Sequence, residues 1–378
     1  MISKLKIMFL ALLLTSFVIS CSEDDGTGNE DPDPNGEETL LTELGSSEAN
    51  GTIKVMTRNI YIGADVDGLL SEDVTINQIP SLVALAYKSL QDADFEERAK
   101  GIADEIEKTK PHLIGLQEVS KIFTQTPSDF LGGNPVKAQN VVYDYLEILL
   151  NELNSRGLNY SAVSTVDNAD IELPMLASPL DDIRLLDRDV ILARNDVTVS
   201  DELSENFEAM LIADTTFGLV VPRGFTSVKA TVGGNTYRFI NTHLEAFDPN
   251  NQLRQAQLSE LLATFSDETS PVIMVGDFNS PAPSGPTYMA VTAAGFSDTW
   301  LNNALTYNEN GYTYGHDADL MNNSVNFYSR IDFIFVKSSS SFQVGNAFVI
   351  GDELRDRVTG GLWPSDHGGV VELIDFMP

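Results

Sequence analysis

VIMVGDFNSP, residues 272–281, sets four apolar residues before a glycine, then a carboxylate and a carboxamide. Val272 to Val275 read as a buried strand, and Gly276 lets the chain turn so that Asp277 and Asn279 sit exposed at the strand end. RIDFIFV (330–336) and SDHGG (365–369) bring Asp332, Asp366 and His367 to similar strand edges. Carboxylates gathered in this way repel one another, and a cation or bound protons must offset the repulsion. The combination implies metal-assisted attack on a phosphate ester.

Upstream, apolar strands alternate with helical patterns and polar residues gather at the strand ends, the pattern of layered sheets covered by helices. TIKVMTRNI (52–60) predicts a strand ending in Arg58 and Asn59. FEERAKGIADEIEKTKP (95–111) spaces Ile102 and Ile106 as a helix does, and Pro111 stops it before the strand HLIGLQEV, which delivers Glu118. Residues 141–153 predict a further helix and DRDVILARND (187–196) a strand. YRFINTHLEA (237–246) predicts a strand carrying Asn241 and His243, then a helix through Arg254 and Leu262. Residues 61–94, 120–140, 165–186 and 303–329 lack a clear period and read as long loops, where substrate choice usually resides.

The 378 residues are 42% hydrophobic and 21% charged, which fits one large folded domain. Acidic residues number 56 against 23 basic, a net charge of −33. Ten of the acids, and no base, fall between residues 22 and 50, yet the chain from 51 onward is still acidic. Such a field repels a polyanion, so nucleic acid is a disfavoured partner.

Residues 1–20 have a short basic start at Lys4 and Lys6 and an apolar run from Ile7 to Ile19, the length of a signal-peptide core and short for a membrane span. The run ends Val18-Ile19-Ser20-Cys21. That ending resembles the lipobox of bacterial lipoproteins, whose cysteine carries the lipid. Cys21 is the sole cysteine, so the mature chain has no disulfide. Three segments are expected: a lipoprotein signal peptide (1–20), an acidic flexible tether with lipidated Cys21 (21–50), and a catalytic domain (51–378). The expected location is extracytoplasmic, lipid-anchored to a bacterial membrane, with the outer-membrane surface favoured weakly by the acidic run after Cys21. Membrane contact is expected through the lipid alone.

The ordered set NI, LQEV, NTHLE, GDFN, RIDFIFV and SDHG resembles the endonuclease/exonuclease/phosphatase superfamily, and it spans residues 59 to 367. GPTYMAVTAAGFSDTW (285–300) resembles the helix and closing phrase that follow GDFN in that family. The resemblance implies an α/β four-layer sandwich, two mixed sheets face to face with helices outside, and a divalent-metal site at one edge. It implies Glu118, Asn59 and Asp366 at the metal, with Mg²⁺ the expected ion and Mn²⁺ or Ca²⁺ as alternatives; oxygen donors suit all three. It assigns Asp277 and Asn279 to the attacking water and the phosphate, and His367 to phosphate contact or proton transfer. Asp332 holds His367, and His243 stabilises charge or protonates the leaving oxygen. Asp187 is a candidate to orient His243, and Asn241 a support beside the site.

Other polar residues have plainer readings. His112, before a core strand, is expected to be structural, and His316 an exposed loop residue. Arg58, Arg188 and Arg223 are expected in salt bridges before phosphate contact, Trp300 in the core and Trp363 on the pocket wall. The expected activity is metal-dependent hydrolysis of a small or lipid-derived phosphodiester. Two alternatives remain open: a secreted nuclease, and a surface binding protein with an inactive site.

Overall fold

The computed structural model describes Leu44 and residues 52–66, 74–214, 219–302 and 310–377. The leader, Cys21 and nearly all of the acidic tether lie outside them. Among the described residues no helix is long and apolar enough to cross a membrane.

Among the described residues from 52 onward, sixteen strands and five α-helices follow in chain order. The strands are β1 (Thr52–Asn59), β2 (Leu113–Gln117), β3 (Lys121–Gln125), β4 (Asn140–Asp144), β5 (Tyr160–Met175), β6 (Asp181–Arg194), β7 (Thr198–Asn206), β8 (Leu211–Asp214), β9 (Leu219–Val221), β10 (Gly224–Val232), β11 (Asn235–His243), β12 (Val272–Asp277), β13 (Ser297–Asp298), β14 (Asp332–Lys337), β15 (Phe342–Ile350) and β16 (Gly369–Phe376). The helices are α1 (Ile79–Asp92), α2 (Phe95–Thr109), α3 (Tyr145–Ser155), α4 (Gln252–Thr264) and α5 (Pro286–Ala293).

One sheet runs β15-β16-β1-β2-β6-β3-β4, with β5 on the free side of β6; the other runs β13-β14-β12-β11-β10-β7. Both are mixed, because β1 pairs parallel to β2 and β11 parallel to β12 while their other pairings are antiparallel. The period of two along each strand sorts side chains between layers. Ile53 and Val55 of β1 enter the core between the sheets with Ile273 and Val275 of β12. Met56 points to the opposite face, where α2 and α3 supply Phe95, Ile102, Ile106, Leu149 and Leu153. On the far side Met274 and Phe335 pack against Leu258 and Leu261 of α4 and Val291 of α5. Helix, sheet, sheet, helix is the expected four-layer sandwich, and VIMV is buried on both faces.

The sheets meet closely at Gly115. A Cβ there would lie 2.5 Å from Val275 Cγ2 and 2.6 Å from Asn241 Oδ1. Helix α2 begins where Asp94 accepts from the Glu97 amide and ends at Lys110 in a left-handed conformation, one residue before Pro111.

Three of the stretches expected as loops are partly ordered. Residues 79–92 form α1, where Leu82 to Ala86 is so uniformly apolar that no face stands out in the sequence. The span 165–186 belongs mostly to the long β5–β6 hairpin, whose alternation is broken by register shifts at Ala162/Ser164 and Asp167/Asp170. Within 120–140, residues 121–125 form β3. The helix expected from 141 starts at Tyr145, because 140–144 pair with β3 instead.

Candidate active site

Register places the reactive groups. His243 ends β11 opposite Asp277 at the end of β12, and Asp277 stands opposite Asp332 at the start of β14. Three neighbouring strands therefore present one row of side chains at one rim. From the facing sheet, Asn59 closes β1 and pairs with Gln117, so Glu118 follows immediately. Tyr61, Glu118 and Asn279 have φ of 55°, 59° and 48°, left-handed values that turn their side chains away from the strand direction. Gly276 at φ 145° has no substitute, since a Cβ would lie 1.9 Å from the Thr242 carbonyl oxygen.

Asp277 Oδ2 is the hub. Asn59 Nδ2 donates to it at 3.2 Å, His243 Nε2 lies at 3.6 Å and His367 Nε2 at 3.8 Å. Its other oxygen accepts from the Asn279 amide at 2.9 Å. Sequence reasoning expected Asp277 to be exposed, but it is 1% exposed at the floor of a cavity. Burial and then Asp332 push its carboxyl up to about 7. Burial likewise raises Asp366 to about 6, and Glu118 adds to the rise.

The two histidines are in opposite states. Burial would lower His367, yet Asp332, Asp366 and Asp277 outweigh it and hold the ring up, to about 10. Its Nδ1 meets Asp332 Oδ2 at 2.8 Å, and Thr313 Oγ1 donates to that same oxygen at 2.6 Å. His367 is thus an imidazolium with Nε2–H facing the hub. His243 is held well below the usual range by burial, then by Arg223 and His367. Arg223 Nη1 lies 3.2 Å from His243 Nδ1. A guanidinium can only donate, so Nδ1 accepts and the neutral ring carries its proton on Nε2.

This corrects one expectation: the partner of His243 is Arg223, and Asp187 stands behind that arginine at 3.4 Å. Asp187 sits with Asp189 and Asn168, and burial raises both acids. Asn241 reaches across the sandwich, donating to the Leu116 and Val190 carbonyls at 3.0 and 3.2 Å and accepting from Gln117 at 2.6 Å, so it holds the sheets together. Asn279 Nδ2 donates to the Leu244 carbonyl at 2.9 Å and lies 3.1 Å from His243 Nε2, where, with the ring proton on Nε2, donor meets donor and the contact is no hydrogen bond.

The donor set suits a hard cation. Glu118 repels both Asp366 and Asp277 across the same cavity, and oxygen donors of this kind match Mg²⁺, Mn²⁺ or Ca²⁺. Glu118 is oriented by Asn59 Nδ2 at 2.9 Å and the Ile62 amide at 2.8 Å. Asn59 Oδ1 accepts from the Tyr61 amide at 3.0 Å, so Asn59 aligns the carboxylates more than it offers an oxygen of its own. Asp277, Asp332 and His367 also cluster closely, but the Asp332–His367 hydrogen bond accounts for that pair.

Arg98 is absent from the sequence reading. Fully buried, it donates to the carbonyls of Ala93 (2.7 Å), Ile60 (2.7 Å), Pro364 (3.0 Å) and Tyr61 (3.0 Å), tying the first motif to the last. Its position inside α2 gave no signal, because an arginine on a helix usually faces water. Arg58 and Arg188 are in ion pairs as expected, with Glu105 (2.8 Å) and Asp144 (2.6 Å). His112 is structural, accepting from the Lys54 amide at 2.9 Å. Trp363 does not line the cavity: it is fully buried, and His316, expected as an exposed loop residue, is buried too, stacks on it at 4.0 Å and takes the wall position. Trp300 is in the core as expected.

The cavity holds about 430 Å³ and is lined by Glu118, Asp187, Arg223, His243, Asp277, Asn279, Asp366 and His367 together with apolar residues further out. Arg223 is the only lysine or arginine among its described lining residues.

The Endonuclease/Exonuclease/phosphatase family model matches residues 85–367. Solved structures share the fold at low identity. A family protein from Leptotrichia buccalis is 17% identical with a TM-score of 0.54, over 86% of this chain and all of that one. One from Bacteroides thetaiotaomicron is 17% identical with a TM-score of 0.55, over 86% and 98%. A mannosyl-6-phosphatase from the same organism is 17% identical with a TM-score of 0.52, over 86% and 100%. No curated protein matches the chain significantly. With this family match laid over a four-layer sandwich whose strand ends converge on Asp277, the chain belongs to the endonuclease/exonuclease/phosphatase family of phosphoester hydrolases.

Proposed function

We propose that this protein hydrolyses a phosphodiester with the help of a divalent cation, Mg²⁺ foremost, as an extracytoplasmic enzyme anchored through lipid on Cys21. The observation that carries the reading is Asp277 Oδ2, buried and faced by one charged and one neutral imidazole at 3.8 and 3.6 Å. Glu118 and Asp366 would hold the cation, which when bound neutralises phosphoryl charge and acidifies water. It would also return the neighbouring carboxyls to their charged forms.

Asp277 then orients the attacking water and accepts its proton. His367 Nε2–H donates to a nonbridging oxygen, and as an imidazolium it can release that proton to the departing alkoxide. His243, neutral and fixed by Arg223, donates a hydrogen bond from Nε2 and has no second proton to give. A single arginine on the cavity wall favours a monoanionic diester over a dianionic monoester or a polyphosphate. The net charge of −33 speaks against a nucleic-acid strand.

The test is a panel of bis-p-nitrophenyl phosphate, p-nitrophenyl phosphate, duplex DNA and RNA with Mg²⁺, Mn²⁺ or Ca²⁺. Diester turnover that disappears in Asp277→Ala and His367→Ala supports the reading. Cleavage of DNA alone, falling steeply with salt, would replace the substrate assignment with that of a nuclease. No turnover by the wild type across the panel would favour a binding protein.

A further inference from the structure

The cavity continues past the reaction centre into a trough for which the proposed chemistry has no use. On β6, residues 183, 185 and 187 share one face, so the surface passes from Ile183 and Leu185 directly to Asp187. Across the hairpin, Leu173 stands opposite Ile183 and Ile171 opposite Leu185. The two apolar cross-strand pairs lie about 7 Å apart, at residues 183 and 185, and Asp187 follows about 7 Å further on, at about 3.3 Å per residue. It joins the centre by contact, since Asp187 meets Arg223, Arg223 meets His243, and His243 faces Asp277.

The opposite wall is α1. Ile79, Val83, Ala86, Tyr87 and Leu90 all line the cavity, at the spacing of a single helix face. Ile79 and Val83 pack against Leu173, with Ile171 and Ile183 on the same cluster, so α1 and the hairpin touch there, while Ile171, Ile183, Leu185, Ala86 and Tyr87 stay partly buried along the trough. Every charged group lining the cavity comes from elsewhere than α1 and the outer hairpin.

We propose that this trough is a subsite for an unbranched alkyl chain esterified to the phosphate, which makes the substrate an amphiphilic phosphodiester. The inference rests on the hydrolase reading given above. Its apolar floor gives a sugar or nucleoside substituent no hydrogen-bond partner, and the loss of that substituent's water would go unrewarded. An alkyl chain gains from the same surface by leaving water. The charged end of the cavity fixes the phosphate, and the chain is the part of an ester that can lie along a narrow strip.

The experiment measures binding of methyl, butyl, hexyl and octyl phosphate to the full chain by calorimetry with Mg²⁺ present. In parallel it measures hydrolysis of the matching p-nitrophenyl alkyl phosphodiesters. Affinity rising about two- to fourfold per methylene until the strip is filled supports the subsite. Ile183→Asp, at the outer end, should flatten that dependence. Affinity independent of chain length in the wild type overturns the proposal whatever the hydrolysis shows, and needs no variant to be folded. Graded affinity without turnover of any ester overturns the hydrolase reading and leaves the trough as an apolar-chain site.

Discussion

Glu372 offers a measurable test of how dry the space between the two sheets is. It lies on β16 with Val370 and Ile374, which enter the inter-sheet core, and it is fully buried with no donor on either carboxyl oxygen. The Thr299 hydroxyl, committed to the Ile334 carbonyl at 2.5 Å, offsets little of the burial. Burial raises the carboxyl from 4.5 to about 8. The folded protein therefore keeps a proton that the unfolded chain releases above 4.5. The stability tied to this proton is full below pH 4.5, falls as pH rises, and is gone above about 8. At 1.36 kcal/mol per pH unit the ceiling is about 5 kcal/mol, and relaxation around the charge will reduce it. Glu372→Gln keeps the shape and removes the titration. Urea unfolding of both proteins at pH 5 and pH 8.5 should show the glutamine variant close to wild type at the lower pH. At the higher pH it should be more stable by roughly 2–5 kcal/mol. Equal differences at the two pH values would refute the reasoning, because a carboxylate that charges in place without penalty is not in a dry core.

Asp332→Asn removes the principal anion that holds His367 charged, so the alkaline limb of kcat/KM should move to lower pH, read from a pH profile of diester hydrolysis. Arg98→Lys forfeits a fan of four carbonyl contacts behind the metal-side motifs and should cost about 3 kcal/mol or more in chemical denaturation. Gly115→Ala drives a methyl into Val275 and Asn241 and should destabilise by about 1–3 kcal/mol with little change in the helices' circular dichroism. Chelation should abolish turnover, and saturating Mg²⁺ at about 100 times its Kd should stabilise the fold by about 2.7 kcal/mol in a melting series, an effect lost in Glu118→Gln.

Much of the centre could be read from the chain because strand ends are punctuated locally. Apolar runs closed by GD, QE and TH, and one opened by SDH, name the groups that emerge at a rim, and sheet register then brings them together. The supports were less visible. Arg223 was weighed as an ion-pair or phosphate partner, since its place beside His243 depends on β10 and β11 pairing in register. Arg98 looked like any helical surface cation. The strip of Ile171, Leu173, Ile183 and Leu185 was hidden in a stretch that bulges interrupt, where polar residues dilute the alternation. Trp363 was misjudged because adjacency to SDH in sequence says nothing about which way a loop side chain turns.

His243, Asp277 and Asp332 occupy consecutive rungs of one ladder, so the spacing of the chemistry is the spacing of backbone hydrogen bonds, about 4.8 Å per strand. Such a centre inherits the stiffness of the sheet and leaves the peripheral hairpin and α1 free to diverge. Relatives can then swap what they bind while the reacting atoms keep their separation. Heating should likewise disperse this row of three only together with sheet unfolding.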